Sequence, residues 1–216
     1  MGGQRHGIFR IDEYYTEKIG CPVEQMTQEQ WLRLPEYALA EAVNGEVFRD
    51  AAGLLTDCRE TLKQMSEDAR RKRLAGRLLL MAQSGQYNYQ RCLKHGETGA
   101  AQLAAGEFVK NTLSAVFLLN RVYMPYYKWS FRALKALPGG EDLGRSLEWL
   151  LTTDNAESMA EDKYFCMEGI ASQVIDLLQE QGLTEATCGD LEKHAYSVND
   201  GIRDSNVRNL QVLYCV

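Results

Sequence analysis

The chain has 216 residues, of which 45% are hydrophobic and 25% are charged, and its formal net charge at pH 7 is −6. This length is enough for one domain with a substantial core. The acidic balance argues against a protein that coats nucleic acid, although a local basic patch can still bind phosphate.

The chain shows neither a membrane span nor a secretion signal. No apolar run approaches the ~18 residues that cross a bilayer, and no signal-peptide segment follows Met1. We therefore predict no membrane contact and a cytoplasmic location. The six cysteines are scattered without a Cys-x-x-Cys pair, and the three histidines lack partners at metal-site spacing. We expect reduced, mostly buried thiols, no metal and no cofactor in this chain.

The start of the chain carries the only strand-like patterns. Residues 6–12 alternate weakly between apolar and polar side chains, which predicts at most one short strand. Residues 45–50 and 53–56 are compatible with a small hairpin or turn. The rest of the chain follows a helical pattern.

Helix start and stop signals divide that helical part. Thr27 is an N-cap and Gly45 a stop signal, while Ser66 precedes a long helix that Gly96 ends. The predicted helices cover 28–34, 35–43, a short stretch from 56, 67–95, 97–123, 128–137, 142–151, 155–181, 190–202 and 205–213. Residues 113–119 are apolar almost all round, which predicts a buried central helix. We predict an all-α fold: a compact multi-helix bundle over 27–216, behind an N-terminal extension over 1–26.

A polar and aromatic cluster follows the central helix. Its cations and amide can bind phosphate or carboxylate, its rings can stack, and Pro125 blocks helix continuation. The candidate ligand-binding residues are Asn120, Arg121, Tyr123, Tyr126, Lys128 and Trp129. The alternative is a structural corner, in which tyrosine hydroxyls bind backbone groups and Arg121 pairs with a buried carboxylate.

Two other stretches combine polar and basic residues. Gln86, Tyr87 and Arg91 fall on one face of the long helix and are further ligand-binding candidates for the same cavity, unless they form a solvated face. The run from Arg70 to Arg73 spreads around its helix behind two acidic residues. We therefore expect it to be a solvated face rather than a contact for RNA or phosphate.

The order of short motifs resembles a family catalogued as domain of unknown function 4037, over nearly the whole chain. The residues that carry the resemblance are 6–8, 19–20, 31–32, 44–50, 55–56 with Arg59 and Leu62, 86–88 with Arg91, and 118–121 with Tyr123 and 125–129. The segment Pro125-Tyr126-Tyr127-Lys128-Trp129 is the most specific part.

Fuller members of that family are similar to nucleotidyltransferases, in which an N-terminal domain holds magnesium with an Asp-x-Asp pair behind Gly-Gly or Gly-Ser. Here Gly2-Gly3 precedes Asp12-Glu13, whose carboxylates are adjacent rather than alternate. Side chains adjacent in a strand point to opposite faces, so the two cannot share one metal. The resemblance therefore implies a chain that begins after the catalytic carboxylates, with residues 1–26 containing a remnant of the catalytic domain.

These observations lead us to expect an accessory or substrate-binding helical domain of a nucleotidyltransferase-like protein. It would have no catalytic residue of its own, and magnesium and nucleotide would come with a catalytic domain in cis or in trans. Its small-molecule ligand would be anionic or planar, and we expect no nucleic-acid partner. The rival is a stand-alone protein-interaction module of the adaptor or antitoxin type. A ribonuclease would need an Arg/His pair at a wider separation than Arg91 and His95 have.

Overall fold

The computed structural model describes residues 7–215, and every regular element among them is helical, which confirms the predicted all-α class. A 3-10 turn covers Val23–Gln25, and a π-helical segment covers Ala82–Asn88. The α-helices are α1 Ile11–Ile19, α2 Gln28–Arg33, α3 Glu36–Val43, α4 Leu54–Lys63, α5 Glu67–Met81, α6 Tyr89–Lys94, α7 Thr98–Leu119, α8 Tyr127–Leu134, α9 Gly140–Thr152, α10 Glu157–Glu180, α11 Leu191–Asp200 and α12 Ser205–Arg208.

The predicted N-terminal strand is a helix in the structure. Residues 7–10 have no regular structure, and α1 begins at Ile11. Asp12 and Glu13 lie in its first turn and Lys18 in its last, an arrangement that complements the helix dipole. These charges outweigh the weak alternation that suggested a strand. His6 of the predicted strand lies outside the described residues, as do Gly2 and Gly3, which entered the comparison with the nucleotidyltransferase signature.

The stretches 45–50 and 53–56, for which a small hairpin or turn was predicted, form no strand: residues 44–53 are a loop with a turn at 51–52, and 54–56 belong to α4. Gly45 has a φ of +87°, and the Asp50 carboxylate accepts hydrogen bonds from the Thr56 backbone N–H at 2.8 Å and from its hydroxyl at 2.9 Å. The loop therefore closes through a side chain rather than through strand pairing. As a result α4 begins at Leu54, two residues before the predicted start.

Two clusters of buried side chains, each contiguous, form the core. The larger one joins α5, α7, α9, α10 and α11, and it contains residues 115–119 of α7, which confirms the predicted central helix. The smaller one joins α1 to α4 with Tyr123 and the residues around α12. Helix α5 serves both clusters, because Leu74 lies in the first and Ala69 in the second.

The basic run on α5 is buried, so the prediction of a solvated face was wrong. Arg70, Lys72 and Arg73 are at most 3% exposed. Each donates to a backbone carbonyl near the end of another helix. Arg70 donates to the Leu118 carbonyl, Arg73 to the Trp31 carbonyl, and Lys72 to the Arg208 carbonyl at 3.1 Å. The last carbonyls of a helix have no intrahelical partner and attract cations. The run therefore joins α7, α2 and α12 to α5.

Candidate functional site

The aromatic cluster after α7 divides into a structural part and an open part. Helix α7 ends at Leu119, four residues before its predicted end, because Arg121 adopts a φ of +55°. Asn120 donates to the Val116 carbonyl at 2.9 Å, and Arg121 pairs with Glu67 at 3.1 Å. Both side chains thus stabilise the turn that ends α7.

Tyr123 also belongs to the structural part. It is 8% exposed, its hydroxyl donates to the Leu62 carbonyl, and its ring stacks on Trp31 with centroids 6.5 Å apart. Burial raises the pKa of its hydroxyl, so the group remains a donor at neutral pH. For Tyr123 the structure matches the alternative of a structural corner, although one side of the residue also lines the groove described next.

Tyr126, Lys128 and Trp129 face a groove of about 1050 Å³ between α3 and α8. Pro125 turns the chain away from the end of α7, and α8 then begins at Tyr127. Trp129 is 46% exposed and Tyr126 is 42% exposed, so both rings are accessible to a ligand. The floor of the groove is apolar and contains Ala40, Val43, Phe117, Val122, Ala133 and Leu137.

Two cations lie close to the Trp129 ring. The Lys128 ammonium lies 5.7 Å from its centroid, and the Arg132 guanidinium lies 5.0 Å from it. Within residues 7–215, no carboxylate lies within 4.0 Å of either cation, whereas Glu41 at the edge of the groove pairs with Lys18 at 2.8 Å. The groove therefore combines a stacking face with positive charge.

Arg132 and Tyr37 are among the groove residues that sequence reasoning missed. Arg132 lies three residues after Trp129 on α8, a spacing that places both on one face, so this signal was available. Tyr37 on α3 meets Tyr126 edge to face with centroids 5.6 Å apart. Nothing in the local sequence pattern connects Tyr37 with α8, because the contact depends on tertiary packing.

The candidates on the long helix lie in a different concavity. Gln86 and Tyr87 line a depression with Glu168 and Asp190, and this depression shares no residue with the groove. Gln86 donates to Glu168 at 3.0 Å and accepts from the Leu191 backbone N–H at 2.9 Å, so it connects α10 and α11. Arg91 packs over the Tyr87 ring as an exposed i,i+4 pair. The structure therefore does not bring the two candidate clusters into one cavity.

Over 7–215, no three His, Cys, Asp or Glu side chains converge as a metal site would require. Arg10 pairs with Asp12 at 3.1 Å and approaches Glu13 at 3.8 Å, and all three side chains are exposed. No helix in the described part is long and apolar enough to cross a membrane.

The thiols are less buried than predicted. Cys21 is buried, Cys188 is exposed, and the other four cysteines are half-buried.

A family model described as "Domain of unknown function (DUF4037)" matches residues 31–130. This stretch runs from α2 into α8 and contains α3 and residues 126–129, which lie on opposite sides of the groove. No curated protein and no solved structure matches the chain. The chain is thus similar to this family over less than half of its length, and the relationship to nucleotidyltransferases stays a prediction.

Proposed function

We propose that the chain is a substrate-binding accessory domain of a nucleotidyltransferase-like protein, and that the groove between α3 and α8 holds an anionic ligand with a planar part. The observation that carries the proposal is the half-exposed Trp129 ring, which has the cations of Lys128 and Arg132 within 5.7 Å of its centroid and lines a groove with many apolar side chains. The ring would stack on the planar part, and the cations would bind the anionic part.

The magnitudes favour a ligand that uses both features. Stacking on an exposed aromatic side chain contributes about 1–3 kcal/mol for a nucleobase-sized ring. A charge-assisted hydrogen bond adds about 1.5–3 kcal/mol where it is shielded from water. An uncharged ring or a simple anion would have only one of these contributions and should bind more weakly.

The accessory role rests on the resemblance and on the chemistry of the chain. The family match covers both sides of the groove, and Asp12 and Glu13 are paired with Arg10 rather than arranged around a metal position. Magnesium and nucleotide would be supplied by a catalytic domain in cis or in trans. The groove would then hold the acceptor substrate, which needs recognition but no metal ligand from this chain.

Isothermal titration calorimetry with 1-naphthyl phosphate tests the groove, because this probe is planar and anionic but carries no free hydroxyl. We expect it to bind more tightly than either 1-naphthol or inorganic phosphate. Trp129→Ala should weaken it by roughly 5–150-fold, the equivalent of about 1–3 kcal/mol. Arg132→Gln should weaken the phosphate ester but leave 1-naphthol unchanged.

Arg145→Gln is the matched control for Arg132→Gln. Arg145 is exposed on α9, where it pairs with Glu141 and Asp142, and it does not line the groove. Unchanged binding of 1-naphthyl phosphate by folded Trp129→Ala and Arg132→Gln proteins would refute the site.

The mass of the endogenous protein tests the accessory role. A mass well above the 24.5 kDa of this chain, together with magnesium-dependent nucleotidyl transfer, would support a catalytic domain in cis. A mass near 24.5 kDa with no co-purifying transferase would refute the role.

The protein-interaction module remains the rival, because exposed Tyr126, Tyr127 and Trp129 are residue types common at binding hot spots. A stable protein partner that blocks the groove, with no affinity for the three small probes, would favour this rival.

A further inference from the structure

A second cavity lies on the other side of Tyr37 and Tyr126. Its volume is about 680 Å³, and it is bounded by the start of α3, by α5 and α7, and by the chain end at Tyr214 and Cys215. The sequence patterns did not indicate this cavity. Its chemistry differs from that of the groove, because a buried carboxylate and buried guanidinium groups line it.

Glu36 supplies the carboxylate. The residue is 5% exposed, and its Oε1 atom accepts a hydrogen bond from the Ser114 hydroxyl at 2.5 Å. The same oxygen lies 3.5 Å from an Arg77 nitrogen. Its Oε2 atom is buried and has no hydrogen-bond partner among the described residues. Leaving such an acceptor unsatisfied costs about 1–3 kcal/mol, and more when it is charged.

Arg73 supplies a cation without a carboxylate partner. It is 2% exposed, and its Nε and Nη2 atoms donate to the Trp31 and Leu34 carbonyls. Its Nη1 atom makes no hydrogen bond within residues 7–215, and no carboxylate there lies within 4.0 Å of the guanidinium. Burial lowers the pKa of Arg73, which reflects the cost of holding this charge away from water.

Two further cations extend this charge toward solvent. Arg77 is largely buried and has an unpartnered Nε atom, while Lys110 is 64% exposed and lies 3.4 Å from Glu107. The cavity is thus lined by two buried guanidinium groups with unused donors, an accessible ammonium and a buried carboxylate with one unused oxygen. A buried charge is normally paired or fully hydrogen-bonded, so these unused groups point to a ligand.

The same groups restrict the chemistry of that ligand. It needs an anionic part for Arg73, Arg77 and Lys110, and a hydrogen-bond donor for the Glu36 Oε2 atom. An ammonium donor would be repelled by the two guanidinium groups beside Glu36, whereas a hydroxyl carries no charge. Several cations around one cavity favour a dianion over a monoanion, and guanidinium groups match phosphate oxygens well.

From these contacts we propose that this cavity is a second binding site, which takes a hydroxyl-bearing organic phosphate. The phosphate meets Arg73, Arg77 and Lys110, and a hydroxyl of the ligand donates to Glu36. This site is separate from the groove proposed for the planar anion, although Tyr37 and Tyr126 line both.

Calorimetry on the full chain with ribose 5-phosphate tests the site, with ethyl phosphate and ribose as its two halves. We expect ribose 5-phosphate to bind at least roughly tenfold more tightly than either half, because a hydrogen bond to a buried charged group contributes about 1.5–3 kcal/mol. Glu36→Gln should reduce the preference over ethyl phosphate, because a neutral amide oxygen is a weaker acceptor than a carboxylate. Lys110→Gln should weaken both phosphates by a similar factor.

The matched control is Glu60→Gln, since Glu60 is exposed on α4, pairs with Lys63 and lies outside the cavity. Circular dichroism establishes that each variant is folded. If Glu36→Gln does not fold, Lys110→Gln decides, because its side chain is mostly in solvent. Absence of ribose 5-phosphate binding, equal affinity for ethyl phosphate, or unchanged affinity after Lys110→Gln would overturn the proposal. Lys110 lines only this cavity and Trp129 only the groove, so Lys110→Gln and Trp129→Ala distinguish a phosphate ester bound here from one bound in the groove.

Discussion

Gly85 permits the close packing between the π-helical segment and α7. A Cβ atom built at Gly85 would lie 2.8 Å from Phe108 Cε2 and closer still to Cδ2. Phe108 is completely buried in the larger core cluster, so its ring has no free space to move into. Gly85→Ala therefore forces either the ring or the helix backbone to shift.

The expected cost follows from two opposing effects. Overpacking of a dense core costs about 1–3 kcal/mol, whereas replacing glycine by alanine in a helix gains about 0.5–1 kcal/mol. We expect Gly85→Ala to lower the free energy of unfolding by about 1–2 kcal/mol. Gly106 on α7 is the matched control, because a Cβ there meets nothing within 4 Å. Gly106→Ala should raise the free energy of unfolding by about 0.5–1 kcal/mol.

Urea unfolding followed by circular dichroism measures both changes at equal m-value. The spacing of α5 and α7 also sets the shape of the cavity proposed for the organic phosphate, hereafter the phosphate cavity. Arg77 on α5 lines this cavity and donates to Asn111 on α7 at 3.2 Å. Gly85→Ala should therefore also weaken ribose 5-phosphate binding. If Gly85→Ala is as stable as the unchanged protein, or if both alanine variants shift stability in the same direction, the packing argument is refuted.

Three further substitutions test single contacts by chemical unfolding. Burial raises the pKa of Tyr89 to about 12, so the contribution of its hydroxyl to the free energy of unfolding is complete below pH 10 and is lost as the pH rises through 12. The difference in unfolding free energy between the unchanged protein and Tyr89→Phe should shrink over that range by on the order of 1–2 kcal/mol, and a difference that does not change with pH would contradict this. Tyr123→Phe should cost about 1–2 kcal/mol, because the buried Leu62 carbonyl loses its donor; no loss would mean that water replaces it. Thr27→Ala should cost about 1 kcal/mol by removing the capping box of α2, and Thr27→Ser should retain it.

Local signals in the sequence were sufficient for most helices. Thr27 caps α2 through its side chain, and Gly45 and Gly96 have positive φ angles where stops were predicted. These features depend on neighbouring residues only. The end of α7 was misplaced because residues 120–123 carry no glycine, and the positive φ falls on Arg121 instead.

Local sequence signals could not predict that the basic run is buried. Arg70, Lys72 and Arg73 are stabilised by carbonyl groups that lie 48, 136 and 42 residues away in the chain. Local charge patterning describes only neighbours on the same helix, so it favoured a solvated face. The phosphate cavity was missed for the same reason, since Glu36 and Ser114 are 78 residues apart.

The sequence indicated which residue types line the candidate site, but not how they are arranged. Tyr126, Lys128 and Trp129, which were chosen for the unusual mixture of rings and cations after an apolar helix, line the groove, and their role in ligand binding stays a prediction. Asn120 and Arg121 have the same chemistry but are used in the turn that ends α7. Only the backbone direction after Leu119 separates these two groups, and residue types do not determine it.

The charge distribution bears on which anions can use these two sites. The chain has a net charge of −6, and four of its cations (Arg70, Lys72, Arg73 and Lys163) are buried; of these, Arg73 lines the cavity proposed for the organic phosphate. Electrostatic attraction between exposed charges is largely screened beyond about 8–10 Å at physiological ionic strength. A small anion in the groove lies within that distance of Lys128 and Arg132 and is screened from distant carboxylates. A nucleic acid is much longer than the screening distance, so most of it would lie along the rest of the surface, which carries net negative charge. The local cations therefore favour a small anionic ligand.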